Sequence, residues 1–295
     1  MIAGKQAVVQ EVGEASVFGS TVLKLSVLSA LVIACYFPML VMTGKTILFG
    51  DDMAHGFFAP IVGLYIAWRR RDLLLKPAPA SAWALPVLAA AAVLGSGATM
   101  AMSSTFSRCA FLASLAGCLL LIGGRVALRG LLFPLVLLLF TFPIPDVLYG
   151  QVTQPLQLLA TRLSEFLLEL FGYSALRDGN ILQLTNMSLS VAEACSGLRS
   201  LLSLTFFCLV YSYFFERRNG MRAAITLLAV PAAILVNALR ITATGILGEH
   251  NPVWTRGTYH ESVGWTAFAV GFGLVLAAHR LARHVVPDPA SEAAR

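Results

Sequence analysis

Long uninterrupted apolar runs constrain this chain more than any other feature. The segment "RAAITLLAVPAAILVNALRITATGIL" (222–247) has no acidic residue, and between Arg222 at its start and Arg240 it has no charge at all. A helix needs about 20 such residues to cross a hydrocarbon core roughly 30 Å thick. In lipid every backbone N–H and C=O must be satisfied within the protein, so only helices and closed barrels span it. Barrel strands alternate apolar and polar side chains, and these runs do not alternate. The chain is 58% hydrophobic and 12% charged, about half the charge of a typical soluble domain. An all-α polytopic membrane protein follows.

Eight spans are expected, at about 21–43, 54–68, 82–101, 109–124, 131–145, 196–215, 222–247 and 264–280. Basic clusters at Arg69-Arg70-Arg71 with Lys76, Arg125/Arg129, Arg217/Arg218/Arg222 and Arg280/Arg283 fall in alternate connections. The positive-inside rule puts those connections in the cytoplasm, with both termini. The expected organisation is a cytoplasmic tail (1–20), one transmembrane domain (21–284) and a cytoplasmic tail (285–295). The first apolar run is of full span length, follows Lys5, Glu11 and Glu14, and has no small-residue cleavage site. It reads as an uncleaved helix rather than a secretory signal.

The long interruption, residues 146–195, falls on the outer side. Within it "VTQPLQLLATRLSEFLLELFG" (152–172) carries Gln157, Arg162, Glu165 and Glu169. Counting it as a span would place "ERRNGMR" outside, so an amphipathic helix on the outer surface is expected. In "NILQLTNMSLSVAE" (180–193), period-two alternation on either side of Asn186-Met187 predicts a small β-hairpin before the sixth span. Such a hairpin is not stable alone and must lean on the helices.

The net charge of +6 is spent on short clusters between apolar runs, which is membrane topology rather than a nucleic-acid footprint. Four of the five cysteines (Cys35, Cys109, Cys118, Cys208) sit in apolar runs as small hydrophobes. No cysteine or histidine spacing suggests a metal site, and nothing in the sequence calls for a cofactor.

The fifth cysteine, Cys195 in "SVAEACSGLRSLLSL", lies at the expected outer start of span six. A helix N-terminus favours a thiolate there, while the neighbouring Glu193 opposes it. Arg240 lies roughly 27 Å along span seven from Arg222 at 1.5 Å per residue, hence at the same outer boundary. A cation inside a span is costly and by default faces a cavity or a partner. Asn237 is three residues earlier on the same helix face and can steady it. His260 stands just before span eight in "YHESVGW", and His250 lies at the end of span seven. A thiol, an imidazole and a guanidinium at one membrane face form a workable acyl-transfer set: nucleophile, base and oxyanion stabiliser. Arg199, Glu261 and His55 (in "DDMAHGFFAP") are weaker supporting candidates. A polar-cavity transporter and a non-catalytic subunit of a polysaccharide export system stay open on these residues alone.

"VAEACSGLRSL" (191–201), "NALRITATG" (237–245) and "YHESVGW" (259–265) resemble, in this order, the three signature segments of the exosortase/archaeosortase family. "AHGFFAPIVGLYIAWRRR" (54–71) resembles its N-terminal histidine-glycine segment, and "FPIPD" (142–146) its mid-chain proline motif. The resemblance implies a membrane transpeptidase of the bacterial inner membrane with its active site facing the periplasm. Its substrates would be secreted proteins bearing a PEP-CTERM-like C-terminal tail: a short motif, a transmembrane helix and a basic end. It implies Cys195 as nucleophile, His260 as general base and acid, and Arg240 as oxyanion stabiliser, with Arg199, Asn237 and His55 at family positions. It also implies a short form without a fused C-terminal domain, and leaves the acceptor nucleophile unspecified.

Overall fold

The computed structural model describes residues 2–49, 54–75, 79–191, 197–255 and 257–285, with backbone alone at 2–21, 54, 146, 257, 259–261 and 285. The chain divides into two compact units, Met1–Pro143 and Ile144–Arg295.

Among the described residues of the first unit the elements are helices: α1 (Ile2–Phe49), α2 (Ala54–Arg69), the single turn α3 (Asp72–Leu75), α4 (Ala84–Met100), α5 (Ser104–Gly130) and α6 (Leu132–Leu138). A 3₁₀ turn, Leu139–Thr141, continues α6. Helices α4 and α5 pack against each other along their lengths. Buried Ala84, Ala91 and Ala98 recur every seven residues along α4, and small side chains are what let helix backbones approach in lipid. Gly117 of α5 meets Leu88 so closely that a Cβ there would lie 2.7 Å from its side chain. The expected span 109–124 ends where α5 breaks its own helical geometry, at Gly124 with φ +62°. That conformation suits glycine alone, and it brings the backbone against the Pro79 carbonyl.

The second unit holds α7 (Asp146–Leu170), strands β1 (Leu176–Asp178), β2 (Ile181–Gln183) and β3 (Ser188–Ser190), then α8 (Leu198–Phe215), α9 (Asn219–His250), a 3₁₀ turn (Pro252–Thr255) and α10 (Gly257–Val285). Antiparallel β2 and β3 pair Leu182 with Leu189 about the Asn186-Met187 turn, as the alternation predicts. The sequence misses β1, which adds to the other edge of β2 through a turn at Gly179 (φ +61°). The sheet is not free-standing: Leu182 and Val191 pack with Ala160 and Leu168 of α7 and Ile241 of α9. Its tip is tied down as well, with the Asn186 N–H and side-chain amide donating to the two Glu249 carboxylate oxygens at 3.0 and 2.7 Å.

The expected amphipathic helix is α7, and it begins at Asp146 rather than 152. Its buried face carries Thr153, Ala160, Thr161, Ser164 and Leu168, a helical spacing. It lies lengthwise on α9. The Ser164 hydroxyl donates to the Ala238 carbonyl at 3.1 Å, and Leu168 reaches the Cβ position of Gly245 at 3.5 Å.

Among the described residues, five helical segments are long and apolar enough to cross a membrane: Val22–Phe49, Ser104–Gly130, Leu198–Phe215, Asn219–His250 and Ser262–His284. Ala84–Met100 and Leu132–Thr141 are shorter apolar helices. The expected spans at 82–101 and 131–145 fall on these shorter helices, and the one at 54–68 on the 16-residue α2.

Candidate functional site

The polar turn of α9 around Asn237 and Arg240 lies between two glycines from other helices. Gly197 precedes α8 with φ +90°, a left-handed conformation costly to any residue with a Cβ. Its missing side chain leaves room for Asn237: a Cβ would sit 2.8 Å from Asn237 Nδ2 and 3.0 Å from its Cγ. Asn237 is only 1% exposed, enclosed where α7, α8 and α9 meet, with Leu156, Ala160, Leu201 and Ile234 around it. Three residues on, Arg240 is half-buried. Gly264 of α10 lies against its guanidinium, with a Cβ position 3.5 Å from Arg240 Cζ and Nε. Helix α10 can therefore lay its backbone against a cation that a larger side chain would push aside.

The expected site residues distribute as follows. Asn237 and Arg240 occupy one face of α9, as their spacing requires. Arg199 is half-buried in the first turn of α8. The backbones of His260 and Glu261 belong to α10, with His260 one helical turn before Gly264. Cys195 and Glu193 lie outside the described residues, between Val191, buried in the sheet core, and Gly197. His55 is 2% exposed at the start of α2 in the first unit, its ring edge-on to Phe140 at 6.2 Å. His250 turns back on its own helix, Nδ1 donating to the Ile246 carbonyl at 2.9 Å, and its ring meets Tyr173. Among the described residues no group of three or more His, Cys, Asp or Glu is placed to hold a metal ion.

A second polar cluster, which the sequence does not single out, closes the other end of this unit. Glu216 stands one residue past α8 and is 3% exposed. Its Oε1 accepts from the backbone N–H groups of Arg217 (2.7 Å) and Arg218 (2.9 Å). Its Oε2 lies 3.1 Å from Nε2 of His279, which is equally buried. A carboxylate only accepts, so Nε2 carries the proton, and in the neutral ring Nδ1 accepts from the Tyr211 hydroxyl at 2.9 Å. The Glu216 carbonyl in turn accepts from Arg222 Nε at 2.7 Å. Burial alone would push the Glu216 carboxyl up. The hydrogen bonds from Arg218, His279 and Arg217, with the Arg218 charge, outweigh burial and hold it down to about 2.

From Arg222 to Arg240 the two clusters are about 27 Å apart along α9, close to the thickness of a hydrocarbon core. Apolar side chains fill the interval: Leu204, Cys208, Ile225, Ala229, Ala233 and Val275 form one cluster between α8, α9 and α10. Helices of this length and hydropathy, with polar groups gathered at both ends of an apolar interior, define a polytopic helical membrane protein with its candidate site at one helix end. The chain belongs to the transmembrane exosortase (Exosortase_EpsH) family, whose sequence model matches residues 45–277. It is thus a membrane exosortase-type protein, and the matched stretch contains every expected site residue. No curated protein and no solved structure matches the chain.

Proposed function

We propose that the protein is a cysteine transpeptidase or protease of the exosortase type. It would cleave a C-terminal sorting signal from secreted proteins at the outer face of the bacterial inner membrane. One observation carries this: two separate segments are seated on one polar turn of α9, Gly197 against Asn237 and Gly264 against Arg240. Cys195 is two residues from the first glycine, within about 7 Å of it by chain length. His260 is one turn from the second.

In this reading the substrate's own helix packs beside the bundle and presents its motif at the helix ends. His260 takes the Cys195 proton, and the thiolate attacks the scissile carbonyl. Arg240 stabilises the oxyanion of the tetrahedral intermediate. His260 then protonates the leaving amine as the C–N bond breaks, which leaves a thioester on Cys195. An amine acceptor gives transfer and water gives hydrolysis, each restoring the thiol. Asn237, pinned by Gly197, positions the Arg240 turn, and α7 with the sheet stands over the same half of α9. Arg199, Glu193, Glu261 and His55 keep supporting roles.

The test is co-expression with a substrate bearing a PEP-CTERM-like tail: motif, transmembrane helix and basic end. Wild type is expected to remove the tail, and Cys195→Ala to leave it in place while accumulating to the same level. Equal processing by both chains would exclude the cysteine mechanism.

A further inference from the structure

The first unit contains a cleft of about 720 Å³ between α1 and the α4–α5 pair. Helix α1 is fastened to α5 at Tyr36, whose hydroxyl hydrogen-bonds Ser114 at 3.0 Å and whose ring packs edge-on to Phe111. Gly95 of α4 makes room for that hydroxyl. The lining extends along α1 from Leu28 to Thr43, about 22 Å of helix. That exceeds one leaflet's half of a roughly 30 Å core. The cleft is therefore long enough to take an extended hydrocarbon chain against its apolar walls.

The two ends of the cleft differ in chemistry. Leu28, Leu31 and Leu88 line one part, whereas Ser103, Ser104, Ser107 and Arg108 line the part at the α4–α5 turn. Arg108 is the one charged residue in the lining, and its Nη1 donates to the Pro143 carbonyl at 3.1 Å, which fixes the head of the side chain. The sequence has no Asp or Glu between Asp72 and Asp146, and none between Glu14 and Asp51. Among the described residues of the lining, the charge is therefore positive. Guanidinium and hydroxyl donors at one end of an apolar cleft match a phosphate ester on an acyl chain.

We propose that this cleft binds one anionic phospholipid, with an acyl chain along α1 and α4 and its phosphate at Arg108 and the three serines. The lining supplies its own reporter, because Cys35 faces the cleft and is exposed, while Cys109 is exposed and is not part of the lining. The full chain, purified in a mild detergent, is titrated with phosphatidylglycerol or phosphatidylcholine. It is pulsed with a maleimide and mapped by peptide mass spectrometry, and native mass spectrometry counts retained lipid. Phosphatidylglycerol at ten times its Kd should slow Cys35 labelling about tenfold, leave Cys109 unchanged, and remain bound at one per chain. Phosphatidylcholine should do neither, and Arg108→Gln should abolish the difference between the two lipids. Since Arg108 also holds Pro143, a second variant is included: Ser96→Phe fills the cleft from an exposed lining position and should lose the retained lipid. Equal protection by both lipids would overturn the proposal. So would unchanged phosphatidylglycerol selectivity in a folded Arg108→Gln chain, or full retention in Ser96→Phe.

Discussion

Two polar turns of α9, one at Arg222 and one at Arg240, handle buried polarity with different neighbours. At the Arg222 end each group is bound by fixed neighbours: Glu216 by two backbone N–H groups and His279, His279 by Tyr211, and the Glu216 carbonyl by Arg222. At Asn237 and Arg240 two glycines lie against the polar turn, Gly197 at Asn237 and Gly264 at Arg240, and bring neighbouring backbone close to it. A saturated network fastens three helices together and offers nothing to a substrate. A glycine against the guanidinium lets a neighbouring backbone come close to the cation. Polar groups in a membrane protein are costly in either setting, so substitution in each cluster is what separates fastening from chemistry.

The comparison breaks most visibly at Arg240. If this guanidinium stabilises an oxyanion, Arg240→Ala should lower tail cleavage by about a hundred- to a thousandfold, the usual cost of removing such a donor. Thermal stability should stay close to wild type. A point charge on a flexible stem does not reproduce the guanidinium fork, so Arg240→Lys should recover only part of the rate. A large drop in melting temperature with unchanged cleavage per folded molecule would instead make Arg240 a fastener like Glu216.

Glu216 should respond the other way. Its carboxyl is held down to about 2 from the ordinary 4.5, which corresponds to roughly 3 kcal/mol of stability while it is ionised. A depressed carboxylate stabilises the fold fully above its unfolded pKa. Melting temperature should therefore be flat with respect to this group above about pH 4.5, and fall as pH drops through about 2. Glu216→Gln should lose a comparable amount at neutral pH and flatten that acid limb, with cleavage per folded molecule unchanged. The same acid limb in Glu216→Gln as in wild type would sever the link to this carboxyl.

Much of this architecture is legible in the sequence, because hydropathy and helical periodicity are local properties. The 222–247 run becomes α9, the 152–172 segment becomes the amphipathic α7, and alternation about Asn186-Met187 becomes β2–β3. Residue β1 Leu176 and its two neighbours escape notice because a three-residue strand has no period to read, and its pairing depends on β2. The Asn237–Arg240 pair is legible as helix spacing around an intramembrane cation. The glycines that meet it are not, since close approach is a property of two distant segments at once. Glu216 and His279 are hidden for the same reason. Each looks like an ordinary polar residue at a helix end, and the contact between them joins positions 63 residues apart.

The smallest effects sharpen the comparison within the site itself, because its two glycines differ in kind. Gly197 needs its left-handed φ, and a Cβ there would press within 3.0 Å of Asn237 atoms. Gly197→Ala should cost about 2 kcal/mol of stability, combining backbone strain with that contact. It should also lower cleavage, since the Cys195 segment and the Asn237 turn share the contact. Gly264 is helical, and its Cβ would meet Arg240 at an ordinary 3.5 Å. Alanine there removes a helix penalty of about 1 kcal/mol, so Gly264→Ala should be neutral or slightly stabilising, with near-normal cleavage. Gly264→Leu occupies the guanidinium's place. It should depress cleavage several-fold in a chain that melts like wild type. Equal activity for Ala and Leu at 264 would mean that the space beside Arg240 is not used, and the distinction between the two ends of α9 would then rest on Arg240 alone.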